Sequence, residues 1–201
     1  MPKINAKNDF RNDNPTIEDR SPTIREFFAT DVFNVKAVVV LAVLLAIRTI
    51  LGLPFLTIFI GPFKLITFAY VTDALAAMFY GPIAAVAFGF AGDTLGFFAS
   101  SGAGGGYFPG FAISEMVTCF LFACFFFRRR ITVPRIIVVW VLNLFIVLLG
   151  LNFIWLTLMY GMNAGEFFTK LRFVNNLLQA PLHIFILYML LTRIKKIVIF
   201  L

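Results

Sequence analysis

Six stretches of this chain are apolar for long enough to cross a bilayer, and each ends in a charged, glycine or proline break. An α-helix rises about 1.5 Å per residue, so about 20 apolar residues span the roughly 30 Å of hydrocarbon. The stretches are about 35–53, closed by Gly52-Leu-Pro54; 63–79, closed by Gly81-Pro82; 82–100; 109–127, stopped by Arg128-Arg-Arg130; 135–160; and 167–192, stopped by Arg193, Lys195 and Lys196. None alternates polar and apolar residues as a barrel strand would. With 61% hydrophobic and 13% charged residues, the chain has too little polar surface for a soluble domain. The fold class expected is therefore all-α integral membrane, a bundle of six transmembrane helices. Residues 1–34 form a polar arm with a possible short surface helix over Ile24–Phe33, residues 35–195 the membrane domain, and residues 196–201 a tail. No cleavable signal peptide is read, because the first apolar run starts near Ala37 behind a charged arm.

The net charge of +7 could suggest a nucleic-acid partner, but the basic residues lie at segment ends, where they set topology. With six spans, the N-terminal arm, the 2–3 turn, the 4–5 loop and the C-terminus share one face. That face carries Lys3, Lys7, Arg11, Arg20, Arg25 and Lys36, then Arg128, Arg129, Arg130 and Arg135, then Arg193, Lys195 and Lys196. The other face has little beyond Lys64 and Lys170. Both termini are expected in the cytoplasm.

Charged and amide side chains inside the apolar segments are the functional candidates, since hydrocarbon penalises them. Arg48, Asp93, Glu115, Asn152, Arg172, Asn175 and Asn176 all come at the outward-facing ends of their segments, while Asp73 and His183 come deeper. A shared depth on five helices suits a pocket open to the outside. The plainer reading is that Arg48, Arg172, Asp93 and Glu115 only cross-link helices. Beside Asp93 lies the glycine-rich turn 102–106, whose backbone a ligand could approach closely.

Ala42 and Ala46 form a small-xxx-small pair that lets another helix come close, although ordinary internal packing uses the same pattern. At about 100° per residue, Arg48 points roughly 140° away from that face. Little suggests catalysis. His183 follows Pro181 on an apolar segment, where a lone histidine is more often a hydrogen-bonded core residue than a catalyst. No Gly-x-Ser-x-Gly or His-Glu-x-x-His motif occurs, and the glycine run lacks the Lys-Ser/Thr of a nucleotide loop. Cys119 and Cys124 read as packing residues rather than a disulfide or a metal pair. No cofactor or metal is expected.

Several of these pieces resemble one family. Ala-x-x-x-Ala at 42–46, Phe79-Tyr-Gly-Pro82 and Ala91-Gly-Asp-Thr-Leu-Gly-Phe97 resemble the substrate-binding S component of bacterial energy-coupling-factor vitamin transporters. Arg48, Gly106-Tyr-Phe-Pro-Gly-Phe111, Leu151-Asn-Phe-Ile-Trp-Leu156, and Arg172 with Asn175 look most like the folate-type members. The likeness covers about residues 35–195. It implies a six-helix subunit of the bacterial cell membrane with no catalytic activity. Such a subunit captures folate from outside, docks on a transmembrane coupling subunit through Ala42 and Ala46, and topples to release the vitamin. Two cytoplasmic ATPases supply the energy. Asp93, Asn152, Asn175 and Arg172 would read the pterin edge, with Arg48 beside them, and Phe97, Tyr107, Phe108 and Trp155 would wall the rings. Lys64 and Lys170 lie near the outer surface, where the two carboxylates of the glutamate tail would come. An S component for thiamine, riboflavin or pantothenate, an intramembrane enzyme, and a membrane protein without a ligand are the other readings.

Overall fold

The computed structural model describes residues 35–53, 58–60, 63–66, 68–100, 106–161 and 172–199, with the backbone alone at 58–60, 63–66, 160, 172–178 and 195–199. The arm 1–34, its expected surface helix, and the glycine run 102–105 lie outside the described residues. Helix α1 is Val35–Leu51; a hairpin of β1 (Ile58–Ile60) and β2 (Phe63–Ile66) follows; then come α2 (Ala69–Ala99), α3 (Pro109–Phe126), α4 (Val133–Asn143), a π-helical stretch Leu144–Asn152, α5 (Phe153–Tyr160) and α6 (Arg172–Ile199). α4, the π stretch and α5 run on as one rod. Among the described residues, α2, α3 and the rod over 133–159 are long and apolar enough to cross a membrane.

α2 holds the expected second and third segments as one kinked element. Gly81 has φ 79° and ψ −174°, a conformation glycine adopts without strain, and Pro82 then opens the second arm. The break read from Gly81-Pro82 is thus a kink between two helical arms, at the expected place. The first arm, however, begins at Ala69 and not at 63. Residues 63–66 pair instead with 58–60 as an antiparallel hairpin, Ile60 opposite Phe63. The helical expectation holds for every membrane-length element, with this one hairpin added.

The interior is built from small residues. Ala74, Ala76, Ala77, Ala85, Ala112 and Ala123 are fully buried or nearly so. In lipid, bulk apolarity does not distinguish the inside of a bundle from the outside, so close backbone approach is what helps hold helices together. Gly89 marks the tightest place between α2 and α3: a Cβ there would lie 2.9 Å from Cys119 Sγ and from the Glu115 carbonyl oxygen. Large side chains such as Val38, Val43, Phe145, Leu158 and Phe185 point outward. α2 and α3 make the most extensive contact, α1 packs on α2, and α6 packs on α4 and on the hairpin. Phe122, Phe126, Ile136, Val139, Leu187 and Leu191 close the core at the α3–α4–α6 junction.

Candidate ligand-binding site

Arg48 is the most buried cation among the described residues, 8% exposed near the end of α1. Its Nε donates to Asp73 Oδ1 at 2.5 Å, and its Nη2 donates to Glu115 Oε1 at 2.7 Å. One guanidinium therefore joins α1, α2 and α3. The planar fork of arginine suits two carboxylates at once, where a lysine ammonium would act as a point charge. Gly92 makes room for it: a Cβ at that position would stand 2.6 Å from Arg48 Cζ, Nε and Nη1.

Asp73 was expected deeper than Arg48, and the structure corrects this. Because the helix begins at Ala69, Asp73 lies about one turn into α2 rather than three. It is 1% exposed and shares the level of Arg48. Asp73, Glu115 and Cys119 bring possible ligand atoms within 4.8 Å of one another. Arg48 already bridges the two carboxylates, so this group is an arginine cradle and a poor place for a metal cation.

The cradle forms one wall of a cavity of about 600 Å³. That size falls within the roughly 300–1,000 Å³ usual for small-molecule sites. Among the expected site residues, Arg48, Asp93, Phe97, Tyr107, Phe108 and Asn152 line it. Asp93 sits on the second arm of α2, half-buried, and has no hydrogen-bond or ion-pair partner among the described residues. Asn152 ends the π stretch, and its Oδ1 is buried without a partner among the described residues. A π turn holds more residues than an α turn, which re-aims side chains, and such bulges gather at functional sites.

Aromatic rings line another part of the cavity. The Phe97 ring meets Tyr107 edge-on at 5.4 Å, and Phe98 stacks on Tyr107 at 5.9 Å. The Tyr107 hydroxyl is 2.9 Å from Thr94 Oγ1. Phe108 contacts Trp155 edge-to-face at 5.7 Å. Trp155 itself stands behind Phe108, with its Nε1 donating to Ser114 Oγ at 3.1 Å, so it supports the wall. Gly110 permits this packing, since a Cβ there would run into both Phe108 and Trp155. The side chains of Arg172 and Asn175 lie outside the described residues, as do those of Lys64 and Lys170. Ala42 and Ala46 are exposed on α1 while Arg48 is buried, so the two faces expected of this helix are distinct.

Several lining residues were not among those expected to contact the ligand, Asp73 and Glu115 of the cradle included. Tyr70 opens the first turn of α2, His183 comes from the middle of α6, and Asn143 accepts a hydrogen bond from Thr118 Oγ1 at 3.1 Å. His183 was expected to be hydrogen-bonded in the core. Its Nε2 is instead buried without a partner among the described residues, and its ring packs on Tyr70 with centroids 4.1 Å apart. Only the intramembrane placement of His183 hinted at a role, and nothing in the sequence singles out Tyr70.

Comparison with known proteins returns one consistent family. The family described as "ECF transporter, substrate-specific component" matches residues 36–191. A folate transporter FolT of Leuconostoc mesenteroides is 30% identical over 166 residues, covering 80% of this chain and 86% of that protein. A folate transporter FolT of Clostridium novyi is 29% identical over 127 residues, covering 63% of this chain and 72% of that protein. A crystal structure of FolT bound with folic acid is similar in fold, with a TM-score of 0.68 and 25% identity, covering 78% of this chain and 93% of that one.

Proposed function

Since this chain belongs to the family of ECF transporter substrate-specific components, we propose that it is the folate-binding subunit of a bacterial membrane importer. The observation that carries the reading is the cavity itself. Asp93 and the Asn152 oxygen, both without a partner among the described residues, and the partly exposed Glu115 are acceptors lining one cavity. The amino-pyrimidinone edge of a pterin supplies N–H donors of the kind a carboxylate takes. The rings of Phe97, Tyr107 and Phe108 offer edges and faces to a flat ligand. Likeness to folate transporters over most of the chain supports the same ligand.

In this reading the chain is a multi-pass protein of the bacterial plasma membrane, with six spans and both termini in the cytoplasm. The spans are α1, the two arms of α2, α3, the α4–α5 rod and α6. The basic run Arg128–Arg130 between α3 and α4, with Arg135 in the first turn of α4, supports that orientation. Arg172 and Asn175 join the pterin site, and Lys64 and Lys170 meet the glutamate carboxylates. The subunit has no catalytic step of its own. It docks through the Ala42 and Ala46 face of α1 on a transmembrane coupling subunit served by two ATPases, and topples to deliver its ligand.

The test is a mass spectrum of small molecules extracted from the purified protein, followed by titration with folic acid. A folate mass and saturable binding are expected. Thiamine, riboflavin or pantothenate in the extract would reassign the vitamin, and neither a vitamin nor saturable binding would remove the reading.

A further inference from the structure

The cavity has a second polar wall, which starts one helical turn before Asp73 of the arginine cradle and is completed from the last helix. It consists of two rings, Tyr70 from the first turn of α2 and His183 from the middle of α6. Their centroids lie 4.1 Å apart and their planes 30° apart, so the rings lie against one another. Both residues line the cavity. Both polar atoms, the Tyr70 hydroxyl and His183 Nε2, are closed off from solvent and lack a hydrogen-bond partner among the described residues.

Such atoms are exceptions in folded proteins, where the large majority of buried polar groups are paired. Leaving one unpaired costs about 1–3 kcal/mol. Two on adjoining rings that line one cavity, with Asn152 Oδ1 a third around the same space, form a concentration that packing alone does not explain. Phenylalanine in place of either ring would fill the volume without the penalty. Pro181, two residues before His183, has no N–H to close its own helical turn, which leaves that part of α6 freer to adjust.

We propose that Tyr70 and His183 form a hydrogen-bonding platform that takes a donor–acceptor group on the flat, aromatic part of the ligand and helps set which ligands the cavity accepts. The chemistry of the pair fits that role. A phenol both donates and accepts, and a neutral imidazole nitrogen does one or the other according to its tautomer. The rings lie against one another, tilted by 30°, and a rotation about the side-chain torsions is what brings each polar edge into the cavity. The platform rests on the folate reading above for the identity of its ligand.

The experiment uses the full chain in detergent, with folic acid as the probe, and the variants Tyr70→Phe and His183→Phe. Each keeps the ring and removes the polar atom. Affinity for folic acid should fall about tenfold in each, the effect of one lost hydrogen bond whose partner is left unpaired. The melting temperature without ligand should stay level or rise, because an unpaired buried group has been removed. Binding within twofold of the parent in both variants would overturn the platform. So would lower melting temperatures without ligand, which would mean that the two side chains hydrogen-bond one another as a structural pair. A parent chain that does not bind folic acid defeats the folate reading instead. The platform is then judged on the melting temperatures alone, by the same rule.

Discussion

Arg48 and Gly92 are in contact across the α1–α2 interface, with the guanidinium occupying the space where any other residue at 92 would carry its Cβ. A Gly92→Ala substitution adds only a methyl group, yet that methyl would sit 2.6 Å from three atoms of the guanidinium. Arg48 is held from the other side by Asp73 and Glu115 and has little room to retreat. The expected loss is about 1–3 kcal/mol of stability, as for other overpacked interiors. Thermal unfolding in detergent measures it, and an unchanged midpoint would show that the helices are not so close.

Removing the arginine should do more harm than removing any ligand contact. Arg48→Ala leaves Asp73, which is 1% exposed, without its counter-charge. Breaking a buried pair from one side costs about 3–5 kcal/mol, whereas replacing the whole set by apolar groups can be neutral. The single variant should therefore be poorly folded, and Arg48→Met combined with Asp73→Leu and Glu115→Gln should recover folding without recovering ligand binding. Size-exclusion profiles and folic acid titration separate the two effects. A well-folded Arg48→Ala chain that binds normally would mean that the cradle is dispensable.

Asp93 is the opposite case. It has no hydrogen-bond or ion-pair partner to lose among the described residues. Asp93→Asn keeps the shape and removes the charge, so the melting point should hold. Affinity for folic acid should fall roughly 10- to 100-fold, the range for a hydrogen bond to a charged group. A drop in stability with affinity intact would make Asp93 a structural residue.

Ala42 and Ala46 are exposed on α1 and stand apart from the cradle. Ala42→Trp and Ala46→Trp should bind folic acid like the parent in detergent. Co-purification with the coupling subunit and ATP-dependent uptake in vesicles should both fall, because a large ring holds a partner helix away. Variants that lose binding but still co-purify would place these alanines toward the cavity.

Much of this was legible in the sequence because helices declare themselves through length and punctuation. Gly81-Pro82 announced a break, and Arg48, Asp93 and Asn152 were conspicuous as polar residues inside apolar runs. The start of α2 was not legible. Phe63-Lys-Leu-Ile66 is apolar enough to extend a helix, and a short apolar run cannot be assigned to helix or strand by periodicity. The Gly61-Pro62 pair between the two strands in sequence was the available signal. That single error moved Asp73 by about two turns and hid the cradle. The π stretch was invisible for a different reason: Leu144–Asn152 shows no local pattern that separates a π turn from an α turn. The pairing of Tyr70 with His183 joins residues over a hundred positions apart, which one sequence cannot reveal.

The cradle also bears on how the protein is made. Arg48 is synthesised 25 residues ahead of Asp73 and 67 ahead of Glu115. When α1 first meets the bilayer neither carboxylate exists in the membrane, and an unpaired arginine at the centre of a helix carries an insertion penalty of about 2.5–3.5 kcal/mol. Lying near the end of α1, its side chain can reach for the headgroups and wait there. Only when α3 has entered can the guanidinium sink between its two partners. Biogenesis is thus expected to have a late locking step. A chain stopped at residue 100 should leave a Thr49→Cys thiol more open to a membrane-impermeant reagent than a chain carried past Phe126 does. Until that moment the cavity lacks the wall that the cradle supplies, so a half-made chain is expected to hold no ligand.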